Sequence, residues 1–174
     1  LGVTLANVKP SAQNVSWRSS AYGSKGRMAR PEFKFSFPFR VRYSEIDGQG
    51  VVFNAHYLTY YDTAVTEYLR NLNFDYEAQV RDSGEDFHTV KSMVEYKAPI
   101  YFDEEIEVYV RAARVGRTSL TFKLEIHSKD KDELKAHGEI IWVNTNQKTH
   151  KPAPLPQSVI KMLRQFEGEQ LVLP

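Results

Sequence analysis

From Phe33 to Tyr43 apolar and polar residues alternate almost without fault: Phe33-Lys34-Phe35-Ser36-Phe37-Pro38-Phe39-Arg40-Val41-Arg42-Tyr43. A period of two predicts a strand with one buried face. Pro38 lacks the N–H that a central strand needs, so this strand belongs at a sheet edge or a bulge. It ends at Ser44-Glu45-Ile46-Asp47, and Gly48 and Gly50 follow as a flexible connection. The spacing then changes. Leu58, Tyr61, Val65, Tyr68, Leu69 and Leu72 recur at intervals of three and four, which predicts one apolar stripe on a helix over residues 55–71, with Asn54 as its N-cap. Asp62, Thr66, Glu67 and Arg70 fall largely outside that stripe. A shorter helix over 74–82 stops at Ser83-Gly84.

Beyond His88 the texture becomes β. Residues 89–96, 106–115, 119–128 and 135–144 are four strand candidates, and the breaks at Gly116-Arg117-Thr118 and Lys129–Asp132 read as hairpin turns between antiparallel neighbours. After Pro152, Pro154 and Pro156, residues 157–166 form a terminal helix with Val159, Ile160, Leu163 and Phe166 on one side. Strand, long helix, then four strands make an α+β layer solution, in which the main helix buries its stripe on one antiparallel sheet.

The composition narrows the function classes. Apolar residues make up 41% and charged residues 26% of 174, which is ordinary for a globular domain. The chain contains no cysteine, which removes disulfides, thiolate zinc sites and cysteine nucleophiles and fits a reducing compartment such as the cytoplasm. No apolar stretch approaches the length of a membrane span. Five of the 23 basic side chains (Lys9, Arg18, Lys25, Arg27, Arg30) lie in residues 1–31 with no acidic one, leaving 18 against 22 acidic side chains in residues 32–174. That acidic body argues against nucleic acid as a partner. Residues 1–31 read as a disordered extension, or as upstream sequence joined to a protein whose natural start is Met28. A third reading is an organelle transit peptide, given their Ser, Asn and Arg. Residues 32–174 are expected to form a single domain.

Candidate chemistry concentrates between Tyr43 and Tyr57. A carboxylate at a strand end, a glycine-bearing loop and a helix start fall within one short segment. The helix N-terminus offers unpaired backbone N–H groups that can polarise a thioester carbonyl, and the carboxylate can attack or activate water. An Asp-x-x-Gly by itself more often marks a turn. The histidines show no metal-ligand spacing and Gly-x-Ser-x-Gly is absent, so neither a metal nor another cofactor nor a serine triad is expected.

Asp47-x-x-Gly50-Val51-Val52-Phe53, followed by a helix containing Tyr57, resembles the signature of the 4-hydroxybenzoyl-CoA thioesterase family. Val94-Glu95-Tyr96-Lys97-Ala98-Pro99, Phe102-Asp103-Glu104-Glu105-Ile106, Gly116-Arg117-Thr118-Ser119 and Pro152–Pro156 resemble further family motifs in the same order. The resemblance spans residues 35–165. It implies a hotdog fold, an antiparallel sheet wrapped around one long central helix, assembled as a homodimer or homotetramer with sites at the subunit interface. It implies hydrolysis of acyl-CoA or a related acyl thioester, with Asp47 as nucleophile or general base and a backbone N–H at or beside Asn54 as oxyanion donor. Gly50, Val51, Val52, Phe53, His56 and Tyr57 would line the substrate.

Members associated with the Tol–Pal envelope system carry a Tyr four before the Asp and a His seven after it. Tyr43 matches the first and is, with Asp47 and Asn54, a candidate catalytic residue, and Asn54 stands in place of the second. His56 is a weak substitute, because a shift of two positions turns a side chain by about 200° on a helix. Glu67 is a rival catalytic carboxylate, as some hotdog thioesterases use one on the helix. Glu45 reads as a flanking surface charge. Arg111, Arg114 and Arg117 are either solvated strand ends or contacts for CoA phosphates. Competing functions are hydrolysis of carrier-protein thioesters and non-catalytic acyl-CoA binding.

Overall fold

The computed structural model describes residues 32–129 and 133–174. The expectations for residues 1–31, and for the tip of the turn at 130–132, lie outside the described residues. Strand β1 (Phe35–Arg40) leads through a 3₁₀ turn, Tyr43–Glu45, to helix α1 (Asn54–Asn71). Helix α2 (Tyr76–Ser83) follows, starting at Asp75, whose side chain accepts from Ala78 N, and ending at Gly84, whose φ of 68° is left-handed. Strands β2 (Glu85–Tyr96), β3 (Glu105–Val115), β4 (Ser119–Ser128) and β5 (Leu134–Asn146) come next. A two-residue β6 (Lys151–Pro152) and helix α3 (Gln157–Glu167) complete the fold.

The sheet order is β1-β3-β4-β5-β2, with every neighbouring pair antiparallel and β6 added to the end of β5. Both expected hairpins are present. Pro38 lies in β1, whose only partner among the described residues is β3, so its missing N–H sits on an edge strand. Strand β2 begins at Glu85 and β5 runs to Asn146, longer than periodicity predicts, because these ends pair with each other.

Alternation along the strands aims one face at α1. Ile106, Val108, Val110 and Ala112 of β3, Leu120, Phe122, Leu124 and Ile126 of β4, and Ala136, Ile140 and Trp142 of β5 are all buried. The sheet curls around the helix, which therefore buries a broad arc (Tyr57, Tyr60, Tyr61, Ala64, Val65, Tyr68 and Leu69) rather than the narrow stripe expected. Leu58, placed in that stripe by its spacing, is instead 41% exposed. Tyr57 and Tyr60 take its place because β1 and the end of β2 reach around the first two turns: Phe39 packs on Tyr60 and Tyr96 on Tyr57.

The Tyr61 ring of α1 packs directly against Gly138 of β5. A Cβ there would lie 2.5 Å from the Tyr61 ring and 2.3 Å from the Met93 carbonyl oxygen. The carbonyl belongs to a paired strand and cannot yield, so Gly138→Ala is expected to destabilise the protein by about 3 kcal/mol, the upper range for overpacking. Equilibrium urea denaturation measures this, and a loss below about 0.5 kcal/mol, the scatter of a neutral surface substitution, would contradict the close approach.

At its far end β3 outruns β1. The C-terminal segment covers the gap: Val115 N donates to Val172 O at 2.8 Å and Val172 N to Ala113 O at 3.0 Å. The pairing of β1 with β3 stops at Val110, and Glu167, at the end of α3, accepts from the Ala112 N–H at 3.0 Å.

Candidate active site

The chain leaves β1 through Val41, which is buried and exchanges backbone hydrogen bonds with the 98–104 connection: Val41 N to Glu104 O (3.0 Å) and Asp103 N to Val41 O (3.2 Å). After the 3₁₀ turn it folds back on itself. Ile46 bridges Val52, Asp47 N donates to Val51 O at 2.9 Å, and Gly50 N donates to Asp47 O at 3.0 Å. Gly50 has φ +79°, a left-handed value that an L side chain would adopt only with strain, which is the local reason for glycine here. Val52 N donates to Ile100 O at 2.9 Å and Val51 bridges Tyr101, so the whole loop is laced to the connection before β3.

Asp47 is half-buried. Its Oδ1 accepts from Gln49 N at 2.7 Å, and Oδ2 has no partner among the described residues. Seven residues later α1 begins. Asn54 was expected as N-cap, but the cap is Phe53, with φ −60° and ψ 136°, and Asn54 is the first helical residue. The correction has a chemical consequence. Phe53 has no side-chain oxygen to cap the helix, so the first-turn N–H groups of Asn54 and Ala55 lack both an intrahelical and a capping acceptor. Both residues are exposed. An uncapped helix start is a ready anion site, carrying donors and the positive end of the helix dipole.

Tyr57 lies one turn inside. It is buried, its ring stands edge-on to Tyr96 at 4.9 Å, and burial, then Tyr96, Glu104 and Asp47, push its hydroxyl up to about 12. The Tyr96 hydroxyl donates to Asn54 O at 3.4 Å. His56 is half-buried, with its ring 6.2 Å from that of Phe53. Tyr43 stands further out, 80% exposed, with its ring edge against Phe102 at 5.8 Å. Glu67 is ion-paired with Arg70 and lies thirteen residues along α1 from Asn54, about 20 Å at 1.5 Å per residue, so it does not join this group. Arg111 and Arg114 sit toward the opposite end of β3 from the 98–104 connection; Arg111 donates to Gln170 at 2.5 Å.

Glu45 is not a surface charge. Its side chain is 2% exposed. Oε2 accepts from Arg42 N (2.7 Å) and from the Tyr60 hydroxyl (2.8 Å), and Oε1 accepts from Arg42 Nε (3.0 Å) and Nη2 (2.7 Å). Burial works to raise its pKa, yet these hydrogen bonds and the Arg42 charge together hold it below the usual carboxylate range. Its partner Tyr60 is fifteen residues away on α1, so no local pattern reveals the burial. Two further groups escaped the sequence reading. Glu104 accepts from Tyr101 N at 3.0 Å and pairs at 3.1 Å with Lys135, whose side chain is 5% exposed and also donates to Pro99 O at 3.0 Å. They brace the connection that holds Val51 and Val52.

The family model described as thioesterase superfamily (4HBT) matches residues 49–135, beginning two residues after Asp47. The acyl-CoA thioester hydrolase YbgC of Escherichia coli is 32% identical over 131 residues, which are 75% of this chain and 96% of that protein. The chain belongs to the thioesterase superfamily. A crystal structure of a hypothetical protein from Aquifex aeolicus superposes on it with a TM-score of 0.67 at 27% identity, covering 74% of this chain and 98% of that one. A 1,4-dihydroxy-2-naphthoyl-CoA thioesterase from Synechocystis, at 19% identity, shares the fold with a TM-score of 0.70 over 74% of this chain and 94% of that one. The curled sheet around α1 is accordingly the hotdog fold of this superfamily, as the motifs implied.

Proposed function

We propose that this thioesterase-superfamily protein hydrolyses acyl-CoA thioesters to the free acid and CoA, with Asp47 as the reacting carboxylate. The observation that carries the reading is the uncapped start of α1, with open Asn54 and Ala55 N–H groups directly after the laced loop that bears the half-buried Asp47. The name of the E. coli relative, an acyl-CoA thioester hydrolase, supports the substrate class. In this scheme the N–H groups bind the thioester oxygen and stabilise the oxyanion that forms when the carbonyl carbon is attacked. Asp47 either attacks that carbon, displacing the thiol and leaving an anhydride for water to cleave, or takes a proton from the attacking water. In both routes the C–S bond breaks, water supplies the new oxygen, and the sulfur leaves as thiol. In this scheme Gly50, Val51, Val52, Phe53, His56 and Tyr57 form the surroundings of the substrate, and Tyr43 stands exposed at their edge. The test is a panel of short, medium and aromatic acyl-CoAs assayed by thiol release, with Asp47→Asn as control; no turnover of any member would end the proposal.

The active unit is a homodimer built on β2. This strand is twelve residues long and, among the described residues, pairs with β5 alone, and Val90, at its bulge, is 60% exposed. A long unprotected edge invites antiparallel addition of a second copy. Because β2 ends at Tyr96 beside the start of α1, that copy would border the site. Sedimentation at micromolar concentration is expected to give a dimer, and Val90→Glu to shift it toward monomer with reduced turnover. A wild-type monomer of full activity would overturn this assembly.

A further inference from the structure

Glu45 holds α1 at two separate points. Its backbone oxygen accepts from the N–H of the cap residue Phe53 at 2.9 Å, and its carboxylate accepts from the Tyr60 hydroxyl at 2.8 Å. Phe53 and Tyr60 are about 10 Å apart along the helix at 1.5 Å per residue, so the two contacts set both the position and the tilt of the helix start. Arg42 satisfies the rest of the carboxylate from the opposite side, through its backbone N–H and its guanidinium. On the loop side Glu45 precedes Asp47 by two residues, and Ile46 between them is pinned to Val52. Few free torsions therefore separate the buried carboxylate of Glu45 from the half-buried one of Asp47.

Acyl transfer needs the attacking group and the oxyanion donors within about 3 Å of one reacting centre. Here the two come from different elements, a loop and a helix end. We infer that Glu45 and Tyr60 are positioning residues for thioester hydrolysis, setting the distance and angle between the Asp47 carboxylate and the open N–H groups of Asn54 and Ala55. The inference rests on the Asp47 reading above. The fold supplies its own matched control: Tyr68, two turns further along α1, makes the same hydroxyl-to-buried-carboxylate contact with Glu167 at 2.6 Å, away from the loop.

The experiment uses the full chain, hexanoyl-CoA and benzoyl-CoA, and four single variants compared at a temperature where circular dichroism shows each folded. Tyr60→Phe removes one hydroxyl and leaves the ring packed on Phe39 and Tyr57. It is expected to lower kcat about 10- to 100-fold, the scale of an ångström of misplacement. KM should stay within about threefold, since ground-state binding is not removed. Glu45→Leu, which removes both acceptor oxygens, should behave alike, and the double variant should be no slower than the slower single, because both break the Glu45–Tyr60 contact. Tyr68→Phe should lower the melting temperature comparably and leave kcat unchanged. Wild-type kcat in both Tyr60→Phe and Glu45→Leu, with Asp47→Asn inactive, would overturn this inference alone. Equal loss of kcat in Tyr68→Phe would also overturn it, by making the effect one of general stability. Full activity in Asp47→Asn would overturn the Asp47 reading and this inference with it.

Discussion

Asp47→Asn is expected to lower kcat about 1,000-fold at neutral pH, within the range for removing a positioned base or nucleophile. That factor corresponds to about 4 kcal/mol of transition-state stabilisation. The exchange is close to isosteric and keeps an oxygen to accept from Gln49 N, the one side-chain bond Asp47 makes among the described residues, so the loop should stand and the melting temperature should hold. KM should change little, because the open N–H groups and the apolar surroundings that bind the acyl group remain. A residual rate above background should survive, carried by the helix N-terminus. Steady-state kinetics by thiol release measures all three. A kcat within threefold of wild type would remove Asp47 from the chemistry, whatever the protein hydrolyses. If the large loss is found, single turnover in ¹⁸O-labelled water separates the routes: label entering Asp47 marks the anhydride.

Glu167→Ala is expected to produce the largest loss of stability. Glu167 is 1% exposed, and its Oε1 accepts from both the Tyr68 hydroxyl (2.6 Å) and the Ala112 N–H (3.0 Å). Truncation would leave two buried donors unpaired at about 1–3 kcal/mol each, for a total near 4 kcal/mol. For a protein of this size that is about 10 °C of melting temperature. Glu167→Gln should be far milder, because Gln keeps an acceptor oxygen. Its pH dependence has a definite sign. Burial raises the Glu167 pKa above its unfolded value, against the opposing pull of Tyr68, the Ala112 N–H, Arg111 and Lys34. The folded state therefore prefers the protonated acid, and the associated stabilisation is full below the unfolded pKa and is lost as pH rises through the folded one. Gln has no such loss, so its stability relative to wild type should climb as pH rises above the unfolded carboxylate pKa. Glu45 works in the opposite sense in both proteins: its lowered pKa favours the charged form, so its contribution is present above the unfolded pKa and fades as pH falls. Urea denaturation across pH, compared between wild type and Glu167→Gln, isolates Glu167. A relative stability that falls with rising pH would mean that Arg111 and the hydrogen bonds outweigh burial.

Why some of this was legible in the chain, and some not, follows from the range of the interactions. The alternation of Phe35, Phe37 and Phe39 and the three-and-four spacing of Tyr61, Val65, Tyr68 and Leu69 report single-element periods, and those elements formed as expected. Leu58 misled because its spacing fits a stripe, whereas a curled sheet covers an arc wide enough to take Tyr57 and Tyr60 and leaves Leu58 outside. Asn54 misled because a good capping residue type says nothing of where the bridge from Ile46 to Val52 releases the chain, and that release made Phe53 the cap. The same event left the helix N–H groups open, which turned a capped end into a candidate oxyanion site.

By itself the sequence determined the α+β class, the single main helix, the hairpin order and the loop in which Asp47 precedes a helix start, because each depends on neighbours within a few residues. Tertiary structure alone decided the fates of the other carboxylates. Glu45 and Glu167 look like ordinary surface charges, yet one is buried on Tyr60, fifteen residues away, and the other on Tyr68 and Ala112, 99 and 55 residues away. A carboxylate is buried only where donors converge on it, and convergence across such separations is set by how helix and sheet pack.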